Sequence, residues 1–228
     1  MKIYAISDIH GYIEELNESL ALIDLDDEDT LLVFLGDYIH GHDSYAVLDR
    51  VMALQEEYGE ERVITLMGNH EEAVDEARCR ISEGDDVIHE GMDDLPYIKW
   101  ISSLKKYYKT EKQIFVHAGI EEEAGEYWEA GTPFFEFFEK YPPETGRFYM
   151  DIIAGHTGTA TISGNPDFHG VFYDGESHYY IDGSVWKSRI IPVLMIDTET
   201  GKYFEITKDG EKPVRPYDHI CRLADANQ

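Results

Sequence analysis

Apolar residues fall along this chain in two rhythms. Short, nearly unbroken apolar blocks at residues 2–7, 30–35, 62–67 and 113–117 show no alternation with polar residues. Such blocks read as strands buried on both faces. Between them the spacing changes. Ile13, Leu16, Leu20 and Ile23 recur at three or four positions, and Val47, Leu48, Val51, Met52 and Leu54 repeat the pattern across residues 45–58. That is the signature of helices with one apolar stripe. With an acidic loop at 26–29, the first seventy residues spell βαβαβ, which predicts an α/β fold.

The rest is less regular. Residues 71–80 predict a charged helix, 85–92 a loop and 95–108 another helix. Residues 121–143 are acidic and aromatic, with Trp128, Phe134, Phe135, Phe137, Phe138 and Tyr141. They fit a cap or subsite wall and equally a helix packed on the core. A strand is expected at 151–154, then short strands at 170–173, 177–181, 191–196 and 202–207, with turns at Thr200-Gly201 and Asp209-Gly210. The polar last residues are expected to fray. With no repeat or linker, residues 1–228 read as a single domain, with a candidate cap segment around 121–147.

Lys and Arg number 19 against 47 Asp and Glu, a formal charge of −28. An electrostatic grip on long nucleic acid or an anionic membrane is thereby excluded. A small anionic substrate is not, because bound cations reverse the sign of a pocket. Cys79 and Cys221 are too few for a disulfide framework and read as reduced thiols. No run approaches the ~18 apolar residues of a membrane span, and Met1-Lys2 leads straight into a strand. The expected location is the cytoplasm. Nothing in the sequence encodes an oligomeric state.

The chemistry sits at the strand ends. Asp8, His10, Asp37, Asn69, His70, His117 and His156 each follow a short apolar run. Ligand sites in α/β sheets lie off the carboxyl ends of strands, so topology alone brings these side chains to one edge. Imidazoles and carboxylates suit first-row divalent metals. Two such ions at ~3.5–4 Å form a clamp for phosphate oxygens.

The segments Asp8-Ile9-His10-Gly11, Gly36-Asp37-Tyr38, Gly68-Asn69-His70-Glu71, Val116-His117-Ala118-Gly119 and Gly155-His156-Thr157, followed by Ile181-Asp182-Gly183, occur in that order. In this the chain resembles the calcineurin-like metallophosphoesterases, specifically the branch of bacterial and phage Ser/Thr protein phosphatases and symmetrical diadenosine tetraphosphatases. The resemblance implies a four-layer α/β/β/α sandwich of two mixed sheets. It also implies two divalent ions, with Mn²⁺ expected and Fe, Zn, Co or Ni acceptable to the same donors. Asp8, His10 and Asp37 would hold the first. Asp37 would bridge to the second, completed by Asn69, His117 and His156. His70 would be the general acid, hydroxide bound to the dinuclear centre would attack phosphorus, and Glu71 and Asp182 would play supporting roles.

The resemblance breaks after the second strand. The branch reads Gly-Asp-x-x-Asp-Arg-Gly, whereas this chain has His40 at the Asp position and no Arg. Arginine holds phosphate bidentately, and no other side chain reproduces that geometry. His40 and His42 are the local replacements for substrate binding, and Arg147, Lys187 and Arg189 are cations that could reach in. The missing Asp would pair with the catalytic histidine. Asp43 is the candidate to take its place, and the alternative is direct contact of His40 with His70. Three functions follow: a phosphomonoesterase acting on a small phosphorylated substrate or a phosphoprotein; a nucleotide hydrolase, such as a dinucleoside polyphosphatase or cyclic-nucleotide phosphodiesterase; or a phosphatase-like binding module without turnover.

Overall fold

A computed structural model describes residues 1–82 and 95–218, with the side chains of 77–82 left aside. The Cys79 side chain, Cys221, the 85–92 loop and the polar tail therefore lie outside what is described.

Three parallel strands, β1 (Lys2–Ile6), β2 (Thr30–Phe34) and β3 (Val63–Thr65), form one half of the first sheet. Antiparallel β9 (Val193–Asp197), β10 (Lys202–Thr207) and β11 (Gly210–Pro213) extend it to the order β11-β10-β9-β1-β2-β3. The second sheet has the order β4-β5-β6-β8-β7, from β4 (Tyr107–Lys109), β5 (Gln113–Val116), β6 (Asp151–Ala154), β7 (Phe172–Tyr173) and β8 (His178–Tyr180). Here β5, β6 and β8 are parallel and the edges antiparallel. Both sheets are mixed, as expected.

The sheets pack face to face. Ile3 and Ala5 of β1, Leu31 and Val33 of β2, and Leu194 and Ile196 of β9 share one buried cluster with Phe115, Ile153 and Tyr179 of the second sheet. The alternate residues Tyr4, Ile6, Leu32 and Phe34 face the other way, as a strand's two-residue period requires. They share the second cluster with Leu16 and Leu20 of α1 (Ile13–Leu20) and Val47, Leu48, Val51 and Leu54 of α2 (Ser44–Tyr58). Burial on both faces explains why β1 and β2 read as unbroken apolar runs.

Further helices are α3 (Asn69–Ser82), α4 (Leu95–Ile101), α5 (Trp128–Gly131), α6 (Glu136–Glu139), α7 (Thr159–Ile162) and α8 (Val185–Ser188). The helix expected over 95–108 is corrected: it stops at Ile101, and Tyr107–Lys109 pairs with β5 instead. Tertiary pairing overrides the helical spacing there, with Tyr107 seated against Trp128 and Phe137 at ring separations of 4.9 and 5.6 Å.

A buried ion cluster ties residues 122–146 to the second sheet. His178 Nε2 lies 2.8 Å from Glu122 Oε1, and its Nδ1 lies 3.0 Å from both Asp174 Oδ2 and the Gly146 carbonyl. Burial opposes the imidazolium, but Glu122 and Asp174 outweigh it and raise the His178 pKa. Burial likewise opposes the two carboxylates. His178 outweighs it at Glu122, and backbone N–H donors led by Gly146 do so at Asp174, so both end below their ordinary values. His178 thus contributes stability in full below its ordinary pKa of ~6.5 and loses it as pH rises through the raised folded value. The carboxylate contribution is lost as pH falls through their lowered folded values. His178→Gln should cost about 1.5–3 kcal/mol at pH 5.5 and distinctly less at pH 9, read from urea midpoints. Equal costs at both pH values would mean that folding does not shift the His178 pKa.

Candidate active site

Parallel strands end at the same edge, so the loops after β1, β2 and β3 meet there, joined by those after β5 and β6. Backbone bonds align the first two loops. Ile9 and His10 donate to the Asp37 carbonyl at 2.9 and 2.8 Å, and Gly11 donates to Tyr38 at 2.8 Å. Gly11 and Gly41 pack backbone to backbone: a Cβ on Gly41 would lie 1.7 Å from the His10 carbonyl oxygen. The third loop fastens the second through Glu71, which is fully buried. Its carboxylate accepts from the backbone N–H groups of Asp37 (2.8 Å), Tyr38 (2.9 Å), Ile39 (3.2 Å) and Gly68 (3.1 Å). The sequence shows only an acid in the first turn of a helix; three of the four donors it clamps lie more than thirty positions away.

The backbone is strained where the chemistry collects. Asp8, His10, Asp37, His40 and His156 all have positive φ, between 48° and 82°. Such conformations persist in non-glycine residues only when the surroundings impose them.

The donor atoms converge on Asp37. Its Oδ2 lies 3.5 Å from His117 Nε2, 3.7 Å from His10 Nε2 and 3.8 Å from His70 Nε2. Two donor groups result, His10–Asp37–His70 and Asp37–His117–His156, sharing the one carboxylate. Asn69 Oδ1 lies 3.1 Å from both His117 Nε2 and His156 Nδ1. Asp8 lies 3.8 Å from His10 Nε2 and accepts the His156 backbone N–H at 3.0 Å. His117 Nδ1 faces the Leu35 carbonyl at 3.1 Å and His10 Nδ1 the Ile39 carbonyl at 3.3 Å. Donation of those N–H groups to carbonyls leaves each Nε2 lone pair aimed at the centre.

Burial lowers the pKa of His10 to about 4, aided by the His70 charge, and lowers those of His117, His156 and His70. Burial raises Asp8, reinforced by Asp182, and raises Asp37, reinforced by Glu71 and Asp8. Asp182 is itself pushed up to about 6 by burial. Neutral imidazoles beside buried carboxylates form a donor set that a cation completes, and its N/O chemistry fits divalent transition metals.

A cavity of about 740 Å³ opens over this centre, and Asp8, His10, Asp37, His40, His42, Asn69, His70 and His156 all line it. His117 is fully buried beneath. His40 stacks on His70 at a centroid distance of 4.3 Å and an interplanar angle of 29°. Asp43 stands apart, lining a neighbouring groove with Arg189. Arg147 is exposed and outside the cavity lining. Lys187 donates to the Pro166 carbonyl at 3.1 Å, and Arg189 pairs with Glu15 at 2.8 Å. No residue of 121–147 lines the cavity; Trp128, Phe137 and Phe138 are core. The aromatic wall comes instead from Tyr12 and Trp186, which periodicity did not single out.

A model of the calcineurin-like phosphoesterases matches residues 1–185. The chain belongs to the calcineurin-like phosphoesterase family, a metal-dependent one, and the two donor groups are its candidate cation sites. A symmetrical bis(5'-nucleosyl)-tetraphosphatase of Janthinobacterium sp. (strain Marseille) is 31% identical over 126 residues, which are 53% of this chain and 44% of the relative. The chain thus matches less than half the length of that curated relative. Among solved structures, a cold-active protein-tyrosine phosphatase of a psychrophilic Shewanella sp. superposes with a TM-score of 0.64 at 18% identity, covering 94% of this chain and 80% of that one. A protein serine/threonine phosphatase of Saccharomyces cerevisiae gives 0.62 at 14% identity, covering 93% and 76%. At these identities the likeness is one of fold.

Proposed function

We propose that the chain is a phosphoesterase that hydrolyses phosphomonoesters at two divalent cations, held by Asp8, His10 and Asp37 on one side and by Asp37, Asn69, His117 and His156 on the other. The observation that carries this is the carboxylate of Asp37, whose Oδ2 lies 3.7 Å from His10 Nε2 on one side and 3.5 Å from His117 Nε2 on the other, with Asp8 3.8 Å from His10 Nε2. Bound cations there supply Lewis-acid stabilisation of phosphoryl oxygens and lower the pKa of water. The chain's own residues do the rest. His117 and His10 are fixed by carbonyl partners, so their nitrogens need no reorientation. His70 is partly exposed on the cavity wall and carries the N–H placed to share a proton with the leaving oxygen. His40 stacks behind it and fixes the ring plane. His42 lines the same wall as a donor for substrate, and Asp43 and Arg147 keep at most peripheral roles.

The test is hydrolysis of 4-nitrophenyl phosphate after chelation and re-addition of Mn²⁺, with His70→Asn beside wild type. Activity should vanish on chelation, return with metal, and fall about 10²–10⁴-fold in the variant, the span of general acid catalysis. Activity indifferent to chelation would sink the proposal.

Hydrolysis of dinucleoside polyphosphates is the second reading, favoured by the name of the curated relatives. Comparing rates on diadenosine tetraphosphate and on a phosphopeptide separates it from action on phosphoproteins.

A further inference from the structure

Among the described residues the cavity lining holds two large aromatic side chains, Tyr12 and Trp186, and no lysine or arginine. Trp186 is 67% exposed, yet its position is built. It sits on the single turn α8, bracketed by two left-handed non-glycine residues, Ser184 (φ 52°) and Arg189 (φ 59°). Buried Val185 anchors the turn, and Asp182 Oδ1 accepts the Ser184 N–H at 2.6 Å. The fold thus tolerates strain in the turn that holds an indole out at the cavity wall. Tyr12 is also fixed, with the Arg189 guanidinium 4.8 Å from its ring centroid.

The charges narrow the ligand further. Arg189 is the cation of the adjoining groove, but it pairs with Glu15 at 2.8 Å, and Glu14 and Asp43 line the same groove. Cations at the strand ends would meet one phosphate. Further phosphates would meet no free positive side chain among the cavity's described lining, on a chain carrying −28 overall.

We propose that Trp186, with Tyr12, determines specificity for the leaving group: the site takes monophosphate esters whose leaving group carries a flat aromatic ring. The ring stacks on the indole while the phosphate reaches the strand ends. This rests on the phosphoesterase reading above. A nucleobase and a phenol ring offer the same face, and the test separates them.

Mn²⁺-loaded wild type, Trp186→Ala and Trp186→Phe are assayed on AMP, phosphotyrosine and ribose 5-phosphate, the last sharing the ribose 5-hydroxyl leaving group of AMP but lacking the aromatic base. Trp186→Ala should lower kcat/KM about tenfold or more, through KM, on whichever ring-bearing substrate the site takes, a stacking-sized loss. Ribose 5-phosphate should change less than about twofold, and Trp186→Phe should restore most of the loss. A fall on AMP identifies the nucleobase, and a fall on phosphotyrosine the phenol. Equal falls on all three, no fall on any, or turnover of 4-nitrophenyl phosphate alone with Trp186→Ala leaving it unchanged would overturn the proposal. So would a preference of about tenfold or more for diadenosine tetraphosphate over both monophosphates, because stacking alone explains no gain from added charge. Wild type inert on every substrate, 4-nitrophenyl phosphate included, would instead defeat the phosphoesterase reading itself.

Discussion

Asp37→Asn should lower kcat/KM on 4-nitrophenyl phosphate by about 10³-fold or more and reduce the bound metal, while the chain stays folded. One carboxylate oxygen lies within 3.5–3.8 Å of three imidazole nitrogens drawn from separate loops. Removing its charge takes an anionic donor from both groups at once. A metal centre supplies several kcal/mol of transition-state stabilisation, and each 1.36 kcal/mol is a factor of ten in rate. The fold should survive, because the loop is held by the Asp37 backbone, whose N–H and carbonyl are both engaged. The amide oxygen can still accept the His70 N–H, which Oδ1 receives at 3.1 Å. Metal content, circular dichroism and rate together decide. Wild-type rate, or lost rate with two ions still bound, would remove Asp37 from the bridging role.

Glu71→Ala should destabilise the chain by about 3–5 kcal/mol, because four backbone N–H groups lose their buried acceptor and each orphaned donor costs about 1–3 kcal/mol, not fully additively. For a domain of this size that corresponds to roughly 6–20 °C in Tm. Activity should fall with it, since the Asp37–Ile39 backbone would no longer be fastened to α3. Glu71→Gln should be milder. Oε1 accepts from Tyr38 and Ile39 and Oε2 from Asp37 and Gly68, so an amide keeps one oxygen for one pair and turns its NH₂ on the other. Urea unfolding of both variants in chelator measures the clamp apart from any metal. A loss under about 1 kcal/mol in the alanine variant would mean that the loop holds itself.

Much of this architecture was legible because buried parallel strands have a plain signature. Unbroken apolar runs mark β1 and β2, and the polar residue after each run is carried to a known edge by topology, which is how Asp8, Asp37 and His156 could be grouped from positions 148 residues apart. Legibility failed where meaning depends on long-range partners. Glu71 reads as an ordinary helix-start acid, and only the fold reveals its donors. In the aromatic segment Trp128, Phe137 and Phe138 are buried while Phe134, Phe135 and Tyr141 are exposed, a division that residue type alone does not reveal. Tyr107 has helical spacing, but β5 pairs with it. Trp186 gave no periodic signal, because its position depends on a single strained turn.

The donors come from both sheets: Asp8, His10, Asp37 and Asn69 from loops of the first, His117 and His156 from loops of the second. The cluster of Ile3, Val33, Leu194, Phe115 and Ile153 that holds the sheets together is therefore also the hinge pin of the centre. On the proposed reading, ion capture and sheet docking are two views of one equilibrium. A cation at a hundred times its dissociation constant adds about 2.7 kcal/mol to the assembled state by mass action alone. Conversely, loosening Phe115 or Ile153, which carry no donor atom themselves, weakens the centre by raising the population in which its two halves have parted.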